Sequence, residues 1–159
     1  MNFKLYLLSE EFHSICDWRN YNMSSGKGRP MLILVITDEQ YPDAVCCIPI
    51  SKDNDKDDKY KKLADKRPTN VHFLGLNKYD DYLLIQNMFY VRKEFIGSAF
   101  TINDIPAEIK NEQTKSDIMK KVKKMDILLK TGKVNGFVPR KEVYDIQVQY
   151  LQNKSADLS

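Results

Sequence analysis

Two runs of consecutive apolar residues, Met31 to Ile36 and Val45 to Ile50, constrain the fold of this chain more than any other feature. Neither alternates with polar residues, so each suits a strand buried on both faces. The polar turn between them leaves no room for a crossover helix, which predicts an antiparallel pair. Pro49 cannot donate to a ladder, so the second strand is expected to end or meet an edge there.

The flanking sequence continues the pattern. Phe3 to Leu8 is β-type, and Ser9 before Glu10 and Glu11 reads as the cap of a short helix carrying Ile15 and Trp18. Met23 to Gly28 reads as loop. Val71 to Leu76 puts His72, Leu74 and Leu76 on one face and Val71 and Phe73 on the other. Asn77 to Asp81 reads as a turn. Tyr82 to Gln86 and Phe89 to Arg92 are two strand pieces broken at Asn87. A run of short strands without crossover helices predicts a small antiparallel, strongly bent β-barrel over about residues 1–97.

After Gly97 the period becomes helical, over about residues 103–152. Asn103 or Asp104 is a candidate cap, and Ile118, Val122, Met125 and Leu129 form one apolar stripe ending at Thr131-Gly132. Pro139 opens a last helix with Val143, Ile146 and Tyr150 as its expected buried stripe, and the tail from Asn153 is expected to fray. The fold class expected is therefore α+β: one domain over 1–159, a bent barrel with added C-terminal helices.

At 159 residues the chain can bury a core without disulfides. Cys46 and Cys47 are adjacent and cannot pair without distortion, and Cys16 stands apart, which fits a reducing compartment. No cysteine or histidine spacing makes a zinc set, so neither metal nor cofactor is expected. No apolar run reaches the length of a membrane span and no leader pattern opens the sequence, so a cytoplasmic protein without membrane contact is expected. The net charge of +3 says little, but its distribution says more. Lys110 to Lys133 holds eight lysines against Glu112, Asp117 and Asp126, and Lys52 to Arg67 holds seven cations against five anions.

The two central strands deliver Arg29 to one strand start and Ser51-Lys52 to the next strand's end, cations and a hydroxyl suited to gripping a phosphodiester. His72, with an ordinary pKa of about 6.5, is the side chain able to exchange protons near neutrality without a large shift. Lys27, Lys56, Lys59, Lys61 and Lys62 flank these residues, and Lys120, Lys121, Lys123 and Lys124 offer a second phosphate-tracking surface. Tyr21, Tyr60 and Phe89 are candidates for stacking on splayed bases. Ordinary roles compete with each: Ser51 as a turn residue, His72 bonded to a carbonyl, the lysines as solvated helix faces, the aromatics as core.

These motifs in this order resemble the ToxN/AbiQ/CptN group of type III toxin–antitoxin endoribonucleases, which share the MazF/Kid/PemK-like, SH3-like barrel. The matching stretches are Arg29-Pro30, Pro49-Ile50-Ser51-Lys52, and Leu84-Ile85-Gln86-Asn87-Met88-Phe89-Tyr90-Val91. Two positions depart from the family pattern: Lys52 follows Ser51 directly, and Tyr90 stands where a proline is usual. The resemblance implies a metal-independent RNase leaving 2′,3′-cyclic phosphate and 5′-hydroxyl ends, with Ser51 and Arg29 in its site. It further implies cellular mRNA as substrate, no DNA, and a repeated pseudoknot RNA antitoxin held in a toxin–RNA hetero-oligomer that the toxin also processes. A non-catalytic RNA-binding barrel, and a MazF-like dimeric nuclease blocked by a protein antitoxin, remain as alternatives.

Overall fold

The computed structural model describes residues 1–16, 28–52, 58–76 and 81–157. Its chain order is β1 (Lys4–Leu8), α1 (Glu10–Ile15), β2 (Met31–Leu34), β3 (Ala44–Lys52), α2 (Lys59–Lys66), β4 (Val71–Phe73), β5 (Asp81–Leu84), β6 (Phe89–Arg92), β7 (Ile96–Ala99), the hairpin β8 (Thr101–Ile102) and β9 (Ile105–Pro106), then α3 (Glu112–Lys130) and α4 (Arg140–Asp157). This is an α+β chain with an antiparallel sheet. No helix among the described residues is long and apolar enough to cross a membrane.

The sheet runs β4-β5-β3-β2-β1-β7, and β6 also pairs with β3. Among the described residues this path stays open: β4 and β7 end it and do not pair with each other. Strand β3 explains the shape. One of its edges pairs with β2 from Cys46 through Pro49; along the other, Ala44 to Cys47 pair with β6 and Ile50 to Lys52 pair with β5. Pro49 falls in the gap between those two partners, where a missing N–H costs no ladder bond. The strand does not end at the proline, as expected from sequence alone, but changes neighbours there.

Alternation along β2 and β3 feeds two cores. Leu32, Leu34, Cys46, Ile48 and Ile50 point to one face, covered by Ile118, Val122 and Met125 of α3. Met31, Ile33, Val45 and Cys47 point to the other, against Phe12 and Val143. Further along that second face Val71, Tyr82 and Leu84 meet Tyr60, Leu63 and Ala64 of α2. Both strands are thus buried on both faces over Met31–Leu34 and Ala44–Ile50, but the first apolar run outlasts its strand: Val35 is 48% exposed and Ile36 half-buried, beyond the end of β2.

Several local expectations hold and others are corrected. Ser9 caps α1 by accepting from Phe12 N–H at 3.3 Å. Asn103 and Asp104 do not cap a helix; both adopt positive φ (52° and 64°) as the two-residue turn between Ile102 and Ile105. Their short polar side chains tolerate the left-handed region that such hairpins require. The cap of α3 is Asn111, whose Oδ1 accepts from Thr114 N–H at 2.9 Å. On α4 the buried residues are Arg140, Val143, Tyr144 and Gln147, with Ile146 only half-buried, and the helix continues to Asp157. Trp18 and the expected turn through Lys78 lie outside the described residues.

Gln147 acts as a substitute strand. Its Nε2 donates to Tyr90 O at 3.0 Å and its Oε1 accepts from Arg92 N–H at 2.8 Å, so one side-chain amide satisfies the edge of β6 that faces away from β3. Gln147→Leu keeps the volume but leaves a carbonyl and an N–H buried without partners. The expected cost is about 2 kcal/mol, read as a lower urea midpoint at unchanged m-value.

Candidate nucleic-acid interface

One end of the sheet collects most of the chemistry-bearing residues. There β3 ends on Ser51 and Lys52, β4 ends on His72 and Phe73, and β5 begins at Asp81 and Tyr82. Ser51 pairs with Tyr82, and Tyr82 with Phe73, so these three form a row across neighbouring strands about 5 Å apart. Met31 pairs with Pro49, and Ile50 N–H reaches Pro30 O at 3.3 Å, so the register carried back along the chain sets Arg29 beside Ser51.

A second row runs on the opposite face. Ile50, Leu83 and His72 are mutually in register, and Ile50 and Leu83 belong to the core beneath α3. Alternation puts Lys52, aligned with Asp81, on this face too. The expected grouping of Ser51, Lys52, Arg29 and His72 is therefore split. Ser51 shares one face with Tyr82 and Phe73, and Lys52 and His72 share the other, while Arg29 precedes β2 and comes near Ser51 only through the strand register; the common strand end brings these residues together.

His72 has a partner that sequence reasoning assigned elsewhere. Lys121 of α3 lies beside the apolar stripe of Ile118, Val122 and Met125 rather than on the outer face, and its Nζ sits 2.7 Å from His72 Nδ1. A charged lysine has only donors, so Nδ1 accepts and the ring proton resides on Nε2. Burial, then the Lys121 charge, pushes the His72 pKa below its ordinary value, with Asp117 partly opposing. Burial likewise lowers the Lys121 pKa, again against Asp117. Since the folded ring binds its proton less tightly than the unfolded one, His72 subtracts stability progressively as pH falls below about 6.5.

The remaining sequence candidates sort by exposure. Lys59, Lys61 and Lys62 are exposed on α2, with Lys59 Nζ 5.5 Å from the Tyr60 ring centroid. Lys120, Lys123 and Lys124 are exposed on α3. Phe89 is fully buried and stacked on Phe12 at 6.0 Å between centroids, so it is core and not a base platform. Tyr60 is half-buried against the β4–β5 surface. Lys27, Lys56 and Tyr21 lie outside the described residues.

The sequence matches no family model and no curated protein. The chemistry of the site thus rests on its own residues. Burial pushes the Cys46 thiol up to about 12 and Cys47 well above its ordinary value, so neither is a thiolate nucleophile at neutral pH. Among the described residues no group of three or more histidine, cysteine, aspartate or glutamate side chains is placed to hold a metal ion. The strand end offers cations, a hydroxyl, exposed aromatic surface and a histidine–lysine pair.

Proposed function

We propose that this chain binds single-stranded RNA across the strand end of Arg29, Ser51, Lys52 and His72 and cleaves it without a metal ion. In this reading it is the toxin of a type III toxin–antitoxin system acting on cellular mRNA and held by a repeated pseudoknot RNA antitoxin. The sheet then corresponds to a strongly bent barrel of MazF/Kid type, a reading supported by the change of partners at Pro49. The observation that carries it is the His72–Lys121 pair, a proton-handling couple at the same sheet end as a hydroxyl and two cations.

The ribose 2′-hydroxyl gives up its proton to solvent water as it attacks the adjacent phosphorus, closing a 2′,3′-cyclic phosphate, and the P–O5′ bond breaks. Arg29 and Lys52 offset the charge growing on the non-bridging oxygens, and Ser51 orients the phosphate by hydrogen bonding. His72 Nε2–H donates its proton to the departing 5′-oxygen while Nδ1 takes one from Lys121. The imidazole changes tautomer, the lysine becomes neutral, and the 5′-hydroxyl leaves; a proton from solvent then restores the charged lysine and the starting tautomer.

The split between faces favours a second reading, in which Ser51 and Arg29 bind RNA and nothing is cut. Incubation with mixed-sequence RNA in excess EDTA, followed by mapping of cut sites and end groups, decides between them. Cuts bearing 2′,3′-cyclic ends, slowed on the order of 100-fold in Ser51→Ala, are the expected result. Intact RNA that remains bound would establish the non-catalytic reading.

A further inference from the structure

Beside the Ser51 row lies an open pocket of about 310 Å³ lined by Lys61, Ala64, Asp65, Phe73 and Tyr82. Phe73 is its wall and is unusual for a strand aromatic, since 51% of it stays exposed. The ring is nonetheless held in place. Its edge-to-face contact with Tyr82 has a centroid separation of 5.4 Å. On another side Gly75 comes so close that a Cβ there would lie 3.1 Å from the Phe73 Cε1 and Cζ atoms. Gly75 also has φ +63°, which disfavours any side chain at that position. An exposed aromatic fixed in this way is a preorganised platform rather than a loose surface residue.

The surroundings say what the platform would take. Lys61 and Asp65 stand one turn apart on α2 and place a donor and an acceptor at the rim of an otherwise apolar slot. A planar ring with an N–H donor next to an acceptor, as on the Watson–Crick edge of a nucleobase, matches that pair. Tyr82, which lines the pocket, pairs with Ser51, the hydroxyl at which a phosphate would be held.

We infer that the Phe73–Tyr82 pocket is a nucleobase subsite, in which an unstacked base lies against Phe73 while Asp65 accepts from an N–H on the base edge and Lys61 donates to the adjacent acceptor. The inference rests on the RNA-binding reading above and adds to it the place where an unstacked base would be held. A sequence-tolerant stack on Phe73 supplies most of the affinity, and Asp65 and Lys61 fix the base edge.

The test is fluorescence anisotropy of the full chain with labelled, uncleavable 2′-O-methyl oligomers of A, C and U. Phe73→Ala is expected to weaken oligo(A) binding roughly tenfold or more, Phe73→Trp to retain it, and Ile105→Ala, a still more exposed apolar control on the β8–β9 hairpin, to leave it unchanged. Asp65→Ala is expected to weaken binding of all three oligomers severalfold, since each base offers an N–H donor beside an acceptor, and unchanged binding would remove Asp65 from the subsite. If wild type binds the oligomers and Phe73→Ala binds them equally well, the subsite is refuted while RNA binding stands. If wild type binds none of them, both fall. Phe73 is exposed, so its removal tests binding without threatening the fold.

Discussion

Arg140→Met is expected to cost about 3 kcal/mol of folding stability. Arg140 is 9% exposed and its Nη1 donates to Asp126 Oδ1 at 2.8 Å. Its guanidinium also lies 5.7 Å from the Tyr41 ring centroid and 5.9 Å from that of Tyr90, two rings stacked at 4.5 Å. Lys130 ties the cluster together, bonding Asp126 at 3.0 Å and donating to Asp38. Removing the guanidinium leaves a half-buried carboxylate with one cation and opens space against two tyrosines.

The pair and the single change separate in a double mutant. Adding Asp126→Asn to Arg140→Met should restore part of the loss, because much of the cost is the charge left behind. A loss below about 1 kcal/mol for Arg140→Met, measured by urea unfolding, would class the bridge with ordinary surface ion pairs. Acid should act on the same cluster. Burial alone would raise the Asp38 pKa, but hydrogen bonds from Lys130 and Gln40 N–H, aided by the Lys130 and Arg140 charges, hold it below its ordinary value. Asp38 therefore contributes stability above about pH 4 that is lost as pH falls through its lowered pKa.

That cluster also marks how far the sequence could be read. The runs at Met31 and Val45 declared strands buried on both faces because no polar residue interrupts them, and the spacing of Ile118, Val122 and Met125 declared the inner face of α3. Arg140 and Gln147 gave no such signal. A charged and a polar residue at helical spacing look like a solvated face until their partners, Asp126 and the β6 backbone, are known. Asn103–Asp104 was ambiguous for a local reason, since the same short polar side chains that cap helices also tolerate the φ of a tight hairpin.

The site was legible in part because its residues lie at strand ends, which turn composition betrays. What sequence lacked was parity. Whether Ser51 and His72 share a face depends on the register of β3, β5 and β4, and a shift of one residue would reverse the answer. The exposed Phe73 was visible only as the residue alternating with His72. Lys121 looked like any other lysine of its run, because its partner is 49 residues away and its own place beside the apolar stripe decides its role.

That place yields the sharpest functional expectation: Lys121→Met should lower RNA cleavage on the order of 100-fold at about pH 8.5 and hardly at all at about pH 6. At the higher pH His72 is neutral, and its Nε2 proton can be given up readily only if Nδ1 is refilled. Lys121 refills it, and the wild-type rate should hold with rising pH until Lys121 itself deprotonates, below its ordinary pKa. Without the lysine, His72 must be protonated to serve as the acid. Loss of the neighbouring charge lets its pKa relax upward toward about 6.5, and the rate then falls about tenfold for each further pH unit. Lys121→Arg is the decisive companion, since arginine keeps the positive charge but cannot surrender a proton. It should retain RNA affinity and still show the falling alkaline limb. Parallel pH profiles for wild type and both variants would make Lys121 a phosphate contact and remove it from the proton path.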